Sequence, residues 1–281
     1  MKITVLGSGG GEGYPAMFCG CDHCNVARRV GGKSIRTLSQ TLINDDLLID
    51  LPADTSLHAL RHGLNLGDVA NVLITHTHLD HFVPSLTFLR GSIYAHELKH
   101  EGVGIYGSSD VPRVFNAIAD CYGVNARIRD SISLHELAEF NTERVGEYDV
   151  TALPAKHAIG TLVAYNYIIE RDGKCLIYFH DTGYPNDEII DFLSERGALA
   201  DCVMMDATMG TADIKDSEGH MCFEQDKRLA RRLVERGIAD GHTKFVANHI
   251  THNNAETHDK VEEIFAGTGI DVSFDGYTFE I

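Results

Sequence analysis

The stretch Thr75–His81, which reads T-H-T-H-L-D-H, constrains this chain more than any other feature. It follows an apolar run that predicts a strand. Side chains alternate along a strand, so His76 and His78 project to the same side where the strand ends. Asp80 and His81 then follow where a turn can aim them at a nearby point. Four metal-type side chains in so short a stretch exceed the usual share of one ion, so the stretch predicts two metals side by side.

The alternative is a histidine-rich surface loop, since the chain contains 16 histidines. The same placement recurs elsewhere, however, because His157, Asp181 and His249 stand at or just past the ends of other apolar runs. An α/β scaffold offers functional side chains at strand ends. Imidazole suits zinc, iron or nickel, and a carboxylate adds an oxygen ligand that also suits manganese. The repeated placement therefore favours a metal site over a surface loop.

Strand patterns and helix patterns alternate along the whole chain. Runs rich in β-branched residues predict strands at Ile3–Leu6, Leu47–Asp50, Asn71–Thr75, Tyr148–Leu153, Leu162–Glu170, Cys175–Phe179, Cys202–Asp206 and Lys244–Ile250. Helical spacing predicts helices at Val111–Asp120, Asn186–Arg196, Cys222–Gly237 and Ala255–Ala266. Near the end, Asp275-Gly276 is a hairpin signal between two alternating runs. The mixture predicts a layered α/β or α+β fold.

Composition limits the setting and the partners. A net charge of −17 disfavours broad nucleic-acid binding, because an acidic surface repels phosphate backbones. Four of the seven cysteines, Cys121, Cys175, Cys202 and Cys222, are scattered through apolar or amphipathic segments, which is typical of reduced thiols. The N-terminus shows no signal-peptide core, and no apolar run approaches the roughly 20 residues that cross a bilayer. These features predict a cytoplasmic protein without a membrane partner.

A second cluster, F-C-G-C-D-H-C at Phe18–Cys24, holds Cys19, Cys21, Cys24 and His23. A redox C-x-x-C motif would leave Cys19 without a role. A structural zinc site uses all three thiolates and one imidazole. The neighbouring His23 lies between two cysteines, where a short loop would have to turn three adjacent ligands inward. A histidine from a distant segment is the other candidate for the fourth ligand.

The stretch H-T-H-L-D-H resembles the signature of the metallo-β-lactamase superfamily. The resemblance extends to Asp50 after Leu48-Ile49, and it implies a single domain over residues 1–281. The implied fold is an αββα four-layer sandwich, an α/β fold with mixed sheets and the helices outside. The resemblance also implies two divalent active-site metals (Mn, Zn, Ni or Fe). Their implied ligands are His76, His78 and His157 for one metal, Asp80, His81 and His249 for the other, and Asp181 between them.

Ligand histidines need a partner on the second ring nitrogen. Strand-end acids are candidates for this role, and the chain offers Asp50 and Asp206. For Asp206, capping of a turn is an equally good interpretation. Two metals roughly 3.5–4 Å apart can lower the pKa of a shared water and hold both oxygens of a phosphoryl or acyl substrate. The predicted ligand set therefore suits hydrolysis.

Four local motifs resemble one branch of the superfamily, the PhnP-type cyclic phosphate phosphodiesterases. They are the glycine-rich Gly7–Ala16, a C-x-C-x-x-C cluster followed by Ala27-Arg28-Arg29, an H-D-T motif and a late H-x-x-H. The resemblance implies a small phosphodiester substrate similar to ribosyl 1,2-cyclic phosphate, and it suggests a homodimer. It also makes His220 the general acid and Asp80 essential for turnover. One structural zinc would be held by Cys19, Cys21, Cys24 and His252.

Other functions stay open at this point. An RNase Z-like nuclease would need a basic surface for tRNA, which the acidity of the chain disfavours. A lactonase would have little need of His220. A non-catalytic accessory protein of cofactor biosynthesis, similar to the pyrroloquinoline quinone protein of this branch, is a third alternative. The stretch Arg90–Phe140 carries no motif that matches the branch, so we expect it to line the pocket and to determine the substrate.

Overall fold

The structure is a computed structural model that describes residues 1–91, 94–157, 162–216, 219–254 and 256–281. Its strands follow the β-branched runs, with additional short strands between them. The strands are β1 (Lys2–Gly7), β2 (Gln40–Ile43), β3 (Leu47–Ile49), β4 (Asn71–Leu73), β5 (Val103–Gly107), β6 (Ile132–Glu136), β7 (Thr142–Val145), β8 (Tyr148–Pro154), β9 (Tyr165–Arg171), β10 (Lys174–Phe179), β11 (Cys202–Asp206), β12 (Lys244–Asn248), β13 (Ile270–Val272) and β14 (Tyr277–Glu280).

The helices begin at residues that can cap them. The Asn186 side chain accepts a hydrogen bond from the Ile189 amide, as expected of an N-cap. The helices are α1 (Asp22–Val30), α2 (Thr55–His62), α3 (Asp110–Cys121), α4 (Ala126–Arg129), α5 (Asp187–Glu195), α6 (Phe223–Glu235) and α7 (His258–Phe265). Within the described ranges, none of these helices has the length and apolar content to cross a membrane.

The strands form two seven-stranded sheets with the orders β14-β1-β2-β3-β4-β5-β6 and β13-β12-β11-β10-β9-β8-β7. Residues such as Val5, Leu73 and Tyr167 are buried between the sheets. The outer face of the second sheet packs against α5, α6 and α7, and the outer face of the first packs against α3. Because both faces of each sheet are covered, many strands are apolar without alternation. The αββα α/β fold expected from the resemblance is confirmed.

The hairpin expected at Asp275-Gly276 is wrong. Strand β13 pairs in parallel with β12, whereas β14 pairs antiparallel with β1 in the other sheet. The turn therefore passes from one sheet to the other. The Asp275 carboxylate accepts hydrogen bonds from Ser8 and Thr37, which are distant in sequence, and this long-range anchoring replaces local strand pairing.

Two helix predictions need smaller corrections. The start expected at Ala255 lies outside the described residues, and α7 begins at His258. On α6, Phe223, Ala230 and Leu233 are buried as the pattern indicates, but Val234 is 47% exposed. Its position on the boundary of the apolar face explains the difference, since a helix turns by about 100° per residue.

Parallel strands position the site. In the first sheet β3 and β4 are parallel, and in the second β10, β11 and β12 are parallel, so the residues that follow each set meet at one edge. Asp50, Asp181 and His249 each follow a strand and have positive φ angles of 65°, 49° and 61°. Such angles are unfavourable for residues other than glycine and concentrate at functional sites. They turn these side chains toward a common point.

Candidate metal centres

The first group of metal-type side chains consists of three histidines. His76 Nε2 lies 2.8 Å from His78 Nδ1, and His157 Nε2 lies 3.2 Å from the same atom. Burial lowers the pKa of His76 well below its usual value and also lowers the pKa of His157. Neutral rings keep a free nitrogen lone pair, which is the form in which histidine binds a metal.

The second group brings together the turn that holds Asp80 and His81 and the ends of two strands. His81 Nε2 lies 3.1 Å from Asp80 Oδ2, 2.7 Å from Asp181 Oδ2 and 3.4 Å from His249 Nε2. The same Asp181 oxygen lies 3.4 Å from His76 Nε2, in the first group. Asp181 therefore stands between the two groups, as the resemblance implies.

The residues fit two divalent cations. Within each group the candidate ligand atoms all lie within 4.8 Å of one another. A neutral imidazole has a single N–H, so three converging rings cannot satisfy all their nitrogens by mutual hydrogen bonds. Oδ1 of the buried Asp181 has no hydrogen bond of good geometry among the described residues, although His220 Nδ1 lies 3.2 Å away. Cations would satisfy these atoms, and mixed nitrogen and oxygen ligation suits Zn, Mn, Fe or Ni.

The acids around His81 add negative charge at the same place. Burial disfavours the charged ring, yet the carboxylates of Asp50, Asp80 and Asp181 raise the pKa of His81 well above its usual value. Asp50 Oδ2 contacts His81 Nδ1 at 2.7 Å, and its other oxygen accepts from the Thr75 amide at 2.7 Å. Asp50 thus fixes which ring nitrogen of His81 faces the site, the role expected of it.

Asp206 and His220 form a pair beside these groups. His220 Nδ1 lies 3.2 Å from Asp206 Oδ2 and 3.2 Å from Asp181 Oδ1. The His220 ring centroid is 4.8 Å from that of His157. Burial opposes protonation, but Asp206 and then Asp181 raise the pKa of His220 to about 9. The two carboxylates therefore favour the protonated form of His220, next to both groups.

Thr208 is a site residue that the sequence reasoning missed. Its hydroxyl lies 2.8 Å from His249 Nδ1 and leaves Nε2 to face the second group. Thr208 follows β11 closely, where no pattern distinguishes it from an ordinary loop threonine. Only the approach of β12, which His249 follows, reveals its role.

The described residues of the stretch Arg90–Phe140 lie outside the two groups of metal-type side chains. They form β5, α3, α4 and β6. Two of them do fix Val163, because Ser108 donates to the Val163 carbonyl and Asp110 accepts from its amide. The expectation that this stretch determines the substrate stays a prediction.

The glycine-rich start approaches the second group closely. A Cβ added at Gly10 would lie 2.5 Å from Cε1 and 2.6 Å from Nδ1 of His249. We expect Gly10→Ala to displace this ring and to weaken retention of one active-site metal by about 10–100-fold, the usual effect of disturbing a ligand's support. Metal analysis after dialysis against a chelator measures this. Gly241→Ala is the matched control, since an added Cβ there meets nothing within 4 Å. Equal retention in both variants would contradict the prediction.

The cysteine cluster forms a separate group with His252. His252 Nδ1 lies 3.5 Å from Cys19 Sγ and 3.5 Å from Cys21 Sγ, and Cys24 completes the group within 4.8 Å. Cys21 caps α1, and the Cys24 amide and then His252 lower its pKa to about 6. Three sulfurs and one imidazole are the donor set of a structural zinc site. His23 is not in the group among the described residues.

The fold and the paired groups define the class of metallo-β-lactamase-fold hydrolases. The chain belongs to the β-lactamase superfamily, because the family model described as "Beta-lactamase superfamily domain" matches residues 47–250. The curated relatives include proteins named coenzyme PQQ synthesis protein B. The one from Bradyrhizobium diazoefficiens is 34% identical over 34% of this chain and 36% of its own length. The one from Ruegeria pomeroyi is 30% identical over 71% of each chain. The chain thus spans about a third of the first relative.

Solved structures share the fold along the whole chain. A diphosphatase of the PhnP family has a TM-score of 0.75 at 20% identity and covers 100% of this chain and 97% of its own. Zinc-bound PqqB from Methylobacterium extorquens has a TM-score of 0.69 at 20% identity, with 100% of both chains covered. The short form of human tRNase Z has a TM-score of 0.68 at 17% identity and covers 100% and 99%. At these identities the likeness concerns the fold.

Proposed function

We propose that this protein is a dinuclear metal-dependent phosphodiesterase that acts on a small cyclic phosphate or phosphodiester. The observation that carries the proposal is the position of His220, held by Asp206 and adjacent to both groups of metal-type side chains. A protonated histidine there suits a reaction whose leaving group is a poorly stabilised alkoxide. The relation to a PhnP-family diphosphatase supports a phosphate substrate.

The residues of the site have separate roles in the proposed reaction. Bound at the two groups, divalent ions would supply an acidified water and neutralise charge on the phosphate oxygens. Asp50 and Thr208 hold the rings of His81 and His249 so that their Nε2 atoms face the site. His220 Nδ1 is engaged by Asp206, which leaves Nε2 to give its proton to the departing oxygen as the phosphorus–oxygen bond breaks. Asp80 stays ionised at the second metal position.

His220 also lies close enough to Asp181, Asp206 and His249 for these four side chains to hold a metal ion, since their ligand atoms are within 4.8 Å of one another. The hydrogen bonds of Asp206 favour the general-acid role. Its Oδ1 accepts from the amides of Thr208 and Met221, at 3.0 and 3.2 Å, and its Oδ2 contacts His220. A carboxylate already occupied in this way is poorly placed to bind a further cation.

His220→Ala tests the proposed proton transfer. For a diester with an alkyl leaving group we expect turnover to fall by about 100–10,000-fold, the usual contribution of a general acid. For a p-nitrophenyl leaving group, which departs without a proton, the loss should be much smaller. Asp80→Ala should abolish turnover of both substrates. His242→Ala, a substitution at an exposed histidine, should leave the turnover of both unchanged. Equal losses for both leaving groups in His220→Ala would contradict the general-acid role.

A panel of substrates tests the proposed reaction itself. We expect a five-membered ribosyl cyclic phosphate to be the best substrate, ahead of linear diesters, pre-tRNA and lactones. Preference for pre-tRNA would favour an RNase Z-like nuclease. The curated relatives favour a second candidate, an accessory role in coenzyme PQQ synthesis. Failure of metal-loaded protein to hydrolyse any member of the panel would reject the phosphodiesterase and support that second role.

A further inference from the structure

The loop that carries Glu12 touches both late histidines. Gly13 donates its amide to the Gly10 carbonyl at 2.8 Å, which closes a tight turn over residues 10–13. Gly11 has a φ of 43° and Gly13 a φ of 72°, so glycines shape the turn on both sides of Glu12. Gly10 faces the ring of His249, while Glu12 reaches His252.

The turn is also fixed at both ends. The Gly9 amide donates to the Thr37 carbonyl at 2.8 Å, and Tyr14 and Arg36 exchange backbone hydrogen bonds of 2.9 and 2.6 Å. A side chain on such a turn is presented at a defined position, so the contact between Glu12 and His252 does not depend on a mobile loop. Glu12 is 41% exposed and His252 is 20% exposed.

The contact occupies the ring nitrogen that faces away from the cysteines. Glu12 Oε1 lies 2.6 Å from His252 Nε2, whereas Nδ1 of the same ring faces the sulfurs of Cys19 and Cys21. A carboxylate accepts and cannot donate when ionised, so Nε2 carries the hydrogen and Nδ1 is left as the free lone pair. This is the arrangement in which a carboxylate fixes the tautomer and orientation of a metal-binding histidine.

We propose that Glu12 is the positioning residue of the cysteine site, which holds the His252 ring with Nδ1 toward the three thiols and thereby strengthens metal binding there. The proposal rests on the assignment of a metal to Cys19, Cys21, Cys24 and His252, but it does not depend on the phosphodiesterase reaction. Disproof of the phosphodiesterase reaction would therefore leave the role of Glu12 intact, and disproof of that role would leave the reaction intact.

Cobalt binding tests this role, with a signal that arises only at the cysteines. Full-length protein is stripped of metal and titrated with Co²⁺ in the presence of a competing chelator. Charge transfer from thiolate to cobalt in the near ultraviolet reports the cysteine site alone, because the active-site groups contain no sulfur. Loss of the band in Cys24→Ser assigns it. For Glu12→Ala we expect the affinity of this site to fall by about 10–100-fold.

Two variants make the result specific. Glu12→Gln keeps the size of the side chain and an acceptor oxygen, so we expect a smaller loss than in Glu12→Ala and a normal fold by circular dichroism. Glu195→Ala removes an exposed glutamate at the end of α5 and should titrate as wild type does. If Glu12→Ala and Glu12→Gln were both half-saturated at the same cobalt concentration as the wild-type protein, the proposal would be overturned.

Discussion

Asp181→Asn is expected to abolish phosphodiester hydrolysis and to release metal from both active-site positions. Oδ2 of Asp181 lies within 4.0 Å of four imidazoles, those of His76, His81, His157 and His249. His249, His81 and His76 hold its pKa well below the usual value although burial opposes ionisation, so it provides a negative charge between the groups. An amide removes that charge. Loss of several kcal/mol of charge stabilisation corresponds to a fall of about 1,000-fold in turnover.

The measurement combines elemental analysis with turnover of a cyclic phosphate. Asp172→Asn is the matched control, because Asp172 is 85% exposed and lies in the turn after β9, at the opposite end of β10 from Asp181. The control should keep wild-type metal content and activity. A metal content of two active-site ions per chain in Asp181→Asn, with activity near that of wild type, would show that Asp181 does not join the two positions.

The fold could be predicted as far as the apolar patterns extend. Strands such as β10 and β11 are nearly continuous apolar runs, and a strand buried on both faces produces such runs. Strand β5 contains two glycines, and the edge strand β7 reads T-E-R-V, so their patterns do not distinguish them from loops. The Asp275-Gly276 turn shows a further limit, because its strand partners come from opposite sheets.

The metal-binding residues of the site could be predicted better than the residues that hold them in place. The stretch Thr75–His81 indicates metal ligands because four of them lie close together in the sequence. The structure brings His157, Asp181 and His249 to the same place. The contacts of Thr208 with His249 and of Glu12 with His252 have no sequence signal. They depend on strand ends that meet only in the folded protein and on backbone angles that most residues avoid.

His252→Ala is expected to cost the chain one zinc and part of its stability. His252 Nδ1 faces two sulfurs across a sequence separation of 233 residues, so a metal there clips the N-terminal loop to the segment after β12. A clip that closes so long a loop contributes about 2–4 kcal/mol, by analogy with a disulfide. The melting temperature should fall by roughly 5–10 °C. Zinc content and calorimetry, with and without chelator, measure both effects.

His23→Ala is the decisive comparison, since His23 is the only histidine within the cysteine stretch itself. Its carbonyl accepts a hydrogen bond from the Tyr14 hydroxyl, and this contact survives the substitution. We therefore expect His23→Ala to keep its zinc and its melting temperature. In His252→Ala the active-site metals should still bind, because the Thr208 hydroxyl continues to hold the ring of His249. If His23→Ala released the zinc and His252→Ala kept it, the cysteines would be completed locally, and no metal would join the two segments.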